Sequence, residues 1–119
     1  MVFAAHNTSG GLVLLAELST EQVTDAYHAR FEADDPDFPD LLRLRTELSR
    51  VRSQGFAVNH GRSERGAVAV GVPIRGADGT AVAGLAVSIP SVRYDRKRLL
   101  SLVATLHLAA HAIEAELTR

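Results

Sequence analysis

The stretch from Gly55 to Pro90, GFAVNHGRSERGAVAVGVPIRGADGTAVAGLAVSIP, most constrains what this chain can fold into. A helix stops at Gly55, and a short strand over Phe56–Asn59 leads into a polar loop. Two longer apolar strands follow, near Gly66–Ile74 and Thr80–Ile89, joined by Ala77-Asp78-Gly79. Glycine, aspartate and asparagine between apolar runs are the residues that permit tight turns. Val68, Val70 and Val72 alternate with Ala67, Ala69 and Gly71, while Val82, Leu85 and Val87 mix with Ala83, Gly84 and Ala86. Neither strand carries a charge, so both faces of both strands are expected to be covered or to border a pocket. Small residues on one face leave room for a helix, a partner subunit or a ligand. The pattern predicts an antiparallel sheet in an α+β domain, with helices before and after it.

Those helices have local punctuation. Asn7, Thr8 and Ser9 are possible N-caps, Gly10-Gly11 permits close backbone approach, and Leu12–Leu18 is apolar nearly all round, predicting a buried helix. Ser19 and Gln22 have capping-box spacing and open a second helix to about Arg30. The prolines and acids of 34–39 break the chain into a loop. Asp40 caps a third helix to about Gln54, with Leu41, Leu44, Leu48 and Val51 on one face and Gly55 just past its end. After Tyr94-Asp95 a long helix runs to about Glu116, with a stripe of Leu99, Leu102, Val103, Leu106, Ala110, Ile113 and Leu117. Leu100 and Leu108 lie off that stripe and predict a self-association surface.

A length of 119 residues suits one domain with one core. The net charge of −1 argues against a dedicated nucleic-acid binder, and the absence of cysteine excludes disulfides and thiol chemistry. No uninterrupted apolar run reaches the ~18 residues that would mark a membrane span. The start MVFAAHNTSGG lacks the basic-then-apolar order of a signal peptide, so the cytoplasm is the default location.

Four groups of residues invite chemistry. His107 and His111 are spaced i, i+4, but HLAAH lacks the glutamate of a zinc-protease helix, and partly buried histidines are the better reading. His60, Ser63 and Glu64 share a loop without a nucleophile elbow, so no catalytic residue is assigned. Arg43, Arg45, Arg50 and Arg52 make the third helix basic, yet its apolar stripe requires it to pack down and not to enter a DNA groove. The stretch His6-Asn7-Thr8-Ser9-Gly10-Gly11 puts small polar residues and backbone N–H groups at a helix start, where an anion is favoured and plain capping is the alternative.

The chain resembles the effector-binding domain of IclR-type bacterial transcription regulators. The likeness rests on His6–Gly11 with Leu14-Leu15-Ala16, then Leu48–Arg52 leading to Gly55-Phe56-Ala57-Val58. Gly66, Val72-Pro73-Ile74, the Asp78-Gly79 turn, Ala86–Pro90 and Arg93 complete it. The resemblance implies a GAF/profilin-like antiparallel sheet flanked by helices with a long C-terminal helix. It implies one effector-binding domain over 1–119, without the strands that usually precede the His6 segment. It also implies no enzyme activity, no cofactor and no bound metal. The implied partners are a small carboxylate effector and further copies of the chain in a homodimer or homotetramer. Membranes are not implied, and DNA would be reached only through a winged helix-turn-helix domain that does not fit before Met1. Carried over by position, the implied ligand-binding residues are the backbone N–H groups of Ser9 and Gly10, with Asn59, Ala69, Ala86 and Ser88. Asn59-His60-Gly61 replaces a usual acidic cluster and Ala86 a frequent serine. These departures imply a ligand more apolar than a small keto acid, or a domain that assembles without one.

Overall fold

The structure, a computed structural model, describes residues 8–32, 34–36, 38–61 and 65–117. The expectations placed on His6, Asn7, Ser63 and Glu64 lie outside them. The elements run α1 (Ser9–Leu15), α2 (Thr20–Arg30), α3 (Leu41–Gln54), β1 (Ala57–His60), β2 (Ala67–Arg75), β3 (Ala81–Pro90) and α4 (Arg96–Leu117). A 3-10 turn at Ser91–Arg93 joins β3 to α4. This is the expected α+β architecture.

Local chemistry sets most boundaries. The Thr8 hydroxyl oxygen accepts from the Gly11 N–H at 2.9 Å and opens α1. Ser19 and Gln22 satisfy each other's backbone N–H groups at the start of α2. The Asp40 carboxylate accepts from the N–H groups of Leu42 and Arg43, and Gly55 closes α3 with φ of 83°, a left-handed conformation costly for any residue with a Cβ. Each strand begins one residue later than the sequence pattern suggests. At β1 the reason is visible: the Gln54 side-chain amide donates to the Phe56 carbonyl at 2.8 Å, so Phe56 belongs to the helix-to-strand turn.

The sheet is antiparallel in the order β1-β2-β3. Its register aligns Asn59, Ala69 and Ser88 in one rung and Ala57, Gly71 and Ala86 in another on the same face, with the rung of Val58, Val70 and Val87 between them. One face carries α1 to α3, whose Leu12, Val13, Val23, Leu44, Leu48 and Val51 form a core with Ala57. The other face carries α4, with Val70, Val72 and Ile74 packed against Val103, Leu106 and Ala110. The two cores follow from alternation along β2: Ala67, Ala69 and Gly71 are small and lie on the α1 face, while Val70, Val72 and Ile74 are branched and face α4.

Three expectations are corrected. The segment expected to be buried all round leaves Leu14 38% exposed. The two-sided cover expected of both long strands fails for β3, which alternates between half-buried and exposed, with Val82 58% exposed. Among the described residues β3 pairs with β2 alone, and α4 lies chiefly over β2. Finally, α4 is long and apolar enough, by length and composition, to cross a membrane, contrary to the reading from uninterrupted runs. It lies along the sheet instead and buries Val103, Leu106 and Ala110 there. The stripe's last members, Ile113 and Leu117, stay exposed because α4 outruns the strand, Glu114 already reaching the backbone of Arg75 at the end of β2.

Candidate functional site

The six expected ligand residues converge on one place. Asn59, Ala69 and Ser88 share a rung, and Ala86 lies two rungs along, all on the face that carries α1. The start of α1 is seated on the same face, over the rung of Gly71 and Ala86 and the rung of Pro73 and Gly84 beyond it. A Cβ on Gly71 would stand 2.9 Å from the carbonyl carbon and oxygen of Ser9 and 3.2 Å from the Gly10 nitrogen. A Cβ on Gly84 would stand 2.9 Å from the Gly10 oxygen. The small residues thus admit the backbone of α1, one of the visitors the sequence leaves open.

In α1 the Thr8 carbonyl accepts from Leu12, and the Thr8 hydroxyl accepts from Gly11. Ser9 and Gly10 are first-turn residues whose N–H groups have no acceptor within the helix. Ser9 and Asn59 are each 2% exposed, while Ala86 and Ser88 on β3 are exposed. Among the described residues no buried side-chain nitrogen or oxygen lacks a hydrogen-bond partner. The Asn59 amide is therefore already engaged, and a ligand would have to share or replace that bond.

Two grooves among the described residues lie elsewhere. One, of about 770 Å³, runs between α3, β1 and the start of α4; the other, of about 570 Å³, lies beside Thr20 and the outer side of α3. None of the six residues lines either groove. The basic third helix divides between them: Arg43 and Arg50 border the first, and Arg45 the second. Arg52, which also touches the second, reaches back and donates from Nε to the Ala16 carbonyl at 2.7 Å, tying the end of α1 to α3. Sequence reasoning saw these arginines but not the groove, because its opposite wall comes from Tyr94, Leu99 and Leu100, far along the chain.

The histidines are also placed. The rings of His107 and His111 are 6.4 Å apart, with His107 half-buried near Gly55. Among the described residues no three His, Cys, Asp or Glu side chains gather as a metal site would require. His60 is exposed and meets Tyr94 edge to face at 5.1 Å.

A family model described as the bacterial transcriptional regulator IclR C-terminal matches residues 1–115. Over 117 residues the chain is 37% identical to the HTH-type transcriptional regulator KdgR of Escherichia coli K12, covering 94% of this chain and 43% of that protein. The crystal structure of the C-terminal domain of E. coli KdgR superposes with a TM-score of 0.83 at 29% identity, covering 97% of this chain and 71% of that one. The inducer-binding domain of PobR from Acinetobacter, a double mutant in complex with 3-hydroxybenzoic acid, has the same fold, with a TM-score of 0.76 at 24% identity over 94% of this chain and 66% of that one. The chain spans less than half the length of the curated relative it matches at 37% identity.

Proposed function

The chain belongs to the IclR family of transcriptional regulators, as its C-terminal domain, and from that premise we propose that it senses a small carboxylate-bearing effector and joins copies of the regulator together. One observation carries the proposal: Asn59, Ala69, Ala86 and Ser88 lie on two rungs of the sheet face on which Ser9 and Gly10 rest against Gly71 and Gly84. First-turn N–H groups suit a carboxylate, and the alanines and glycines beside them suit an apolar body. That pairing favours an aromatic or branched aliphatic acid over a small keto acid. An aromatic acid is also what the PobR domain holds.

Contact with DNA would belong to a separate helix-turn-helix domain, and membership in a family of transcriptional regulators supports a cytoplasmic location and a regulatory, non-catalytic role. A second reading, an assembly domain without a ligand, is favoured by the engaged Asn59 amide and by α1 lying directly on Gly71 and Gly84.

Thermal melting with millimolar benzoates, branched aliphatic acids and keto acids, against the matching amides, separates the two. A ligand at 100 times its Kd adds about 2.7 kcal/mol, a rise of several degrees for a domain of this size. A rise with the acids and not the amides supports the sensor. A flat panel on a cooperatively melting chain leaves the assembly reading.

A further inference from the structure

We propose that the groove between α3, β1 and the start of α4 docks an acidic amphipathic helix of a partner protein. The groove holds about 770 Å³ and lies at the β1 edge, on the Val58 and His60 side of the strand. Val51, Phe56, Val58 and Leu99 give it an apolar floor. Leu42 on α3 and Leu100 on α4 stand on its two flanks, 72% and 57% exposed. The polar rim holds Arg43, Arg50 and Arg96 with His60, against the single carboxylate of Glu47. Positive charge is thus gathered here in a chain whose net charge is −1.

These features select the occupant. A small acid on the floor would leave both flanking leucines in water, whereas a helix crossing between α3 and α4 covers them together. The α3 wall runs from Leu42 to Gln54, about 18 Å at the helical rise, which matches three turns of a docked helix read at i, i+3, i+4 and i+7. A second copy using the same patch across a twofold axis would set six guanidiniums against two carboxylates, the wrong charge for a self-complementary surface. Nucleic acid would match the arginines but not the leucines or the apolar floor.

Fluorescence anisotropy on the 119-residue chain tests this. The probe is a fluorescein-labelled synthetic 16-residue amphipathic helix with leucines on one face and glutamates flanking it. A peptide with lysines in place of the glutamates and a labelled DNA duplex serve as comparisons. The acidic peptide should bind saturably, more weakly as salt rises, and at least tenfold more weakly to Arg43→Glu/Arg50→Glu and to Leu100→Ser. Circular-dichroism melts confirm that each variant folds, and Arg43→Gln with Arg50→Gln replaces the charge reversal if it does not. Absence of saturable binding, equal binding of both peptides, or indifference to the substitutions overturns the proposal. Preference for the duplex, or self-association in light scattering that the arginine variants abolish, assigns the groove to another occupant and likewise overturns it.

Discussion

The carbonyl oxygen of Gly10 lies 2.9 Å from where a Cβ on Gly84 would stand. Gly71 makes the same close approach to Ser9, so two glycines on neighbouring strands set the height of α1 above the sheet. Gly71→Ala and Gly84→Ala must lift α1, at a cost of about 1–3 kcal/mol from overpacking. Gly10→Ala differs, because a Cβ there meets nothing within 4 Å. It should leave stability unchanged or slightly raised, since alanine favours helix over glycine by up to about 1 kcal/mol. Urea denaturation of the three variants checks the order, and destabilisation by Gly10→Ala equal to the other two would refute it.

The same geometry separates binding from folding at the proposed effector site. A side chain at position 10 starts into open space, since a Cβ there meets nothing within 4 Å. Gly10→Leu should therefore melt close to the parent chain yet lose the stabilisation given by any acid found in the melting screen. Retained acid-dependent stabilisation in this variant would remove Ser9 and Gly10 from the site.

Asn59 stands 2% exposed with its polar atoms satisfied. Asn59→Ala strips one side of that bonding and leaves a small void, at a cost of about 1–3 kcal/mol. Ser88 shares its rung but is exposed on β3, so Ser88→Ala should fall within about 0.5 kcal/mol of the parent. Equal effects in chemical denaturation would mean that the rung is not buried as a gradient from β1 to β3.

How much of this was legible beforehand follows from distance along the chain. Ser19 with Gln22, Asp40 with Leu42, and Gly55 are local devices, and they put α2 and α3 at their boundaries without a structure. The alternation of valine with small residues in β2 likewise predicts a two-faced strand. What could not be read was what covers each face. The descent of α1 onto Gly71 and Gly84 joins segments some 60 to 75 residues apart, and no periodicity encodes it. The exposure of β3 depends on which strand lies outermost, which composition does not state. The groove needed Arg43 and Leu100 on facing walls; in sequence the arginines look like a DNA surface and the leucine like a dimer seam. The six candidate residues were placed by resemblance, and the meeting of four of them on two rungs with Ser9 and Gly10 of α1 on the same face is geometry the strands alone could not supply.

Arg75 links the two faces of the sheet. Its guanidinium meets the Glu17 carboxylate at 2.7 Å just past α1, while its backbone N–H donates to Glu114 Oε2 of α4 at 2.7 Å. The first contact is partly exposed and should contribute little, within about 0–1 kcal/mol. The second is a charge-assisted bond to backbone where the β2–β3 register shifts and should contribute about 1.5–3 kcal/mol. Glu114→Ala should therefore destabilise the chain clearly more than Glu17→Ala, and only the Glu17 effect should fade in high salt. Hydrogen exchange at the Arg75 amide should quicken in Glu114→Ala alone.

The turn that closes the long hairpin carries its own pH signature. The Asp78 carboxylate accepts from the Thr80 hydroxyl and, at 3.0 Å, from the Thr80 N–H. Those bonds, the hydroxyl first, hold the Asp78 carboxyl below its ordinary value of 3.8. The folded state therefore binds fewer protons than the unfolded state in this window, and stability from the group rises with pH. It is fully present above the ordinary value and is lost as the pH falls through the lower, folded one. Asp78→Asn should reduce the urea midpoint at pH 6, and the gap to the parent chain should close as the pH drops below 3. Thr80→Val should shrink that gap at pH 6 by removing the hydroxyl donor. A gap between parent and Asp78→Asn that stays constant from pH 6 to pH 2.5 would mean that the charged form of Asp78 is not what stabilises the turn.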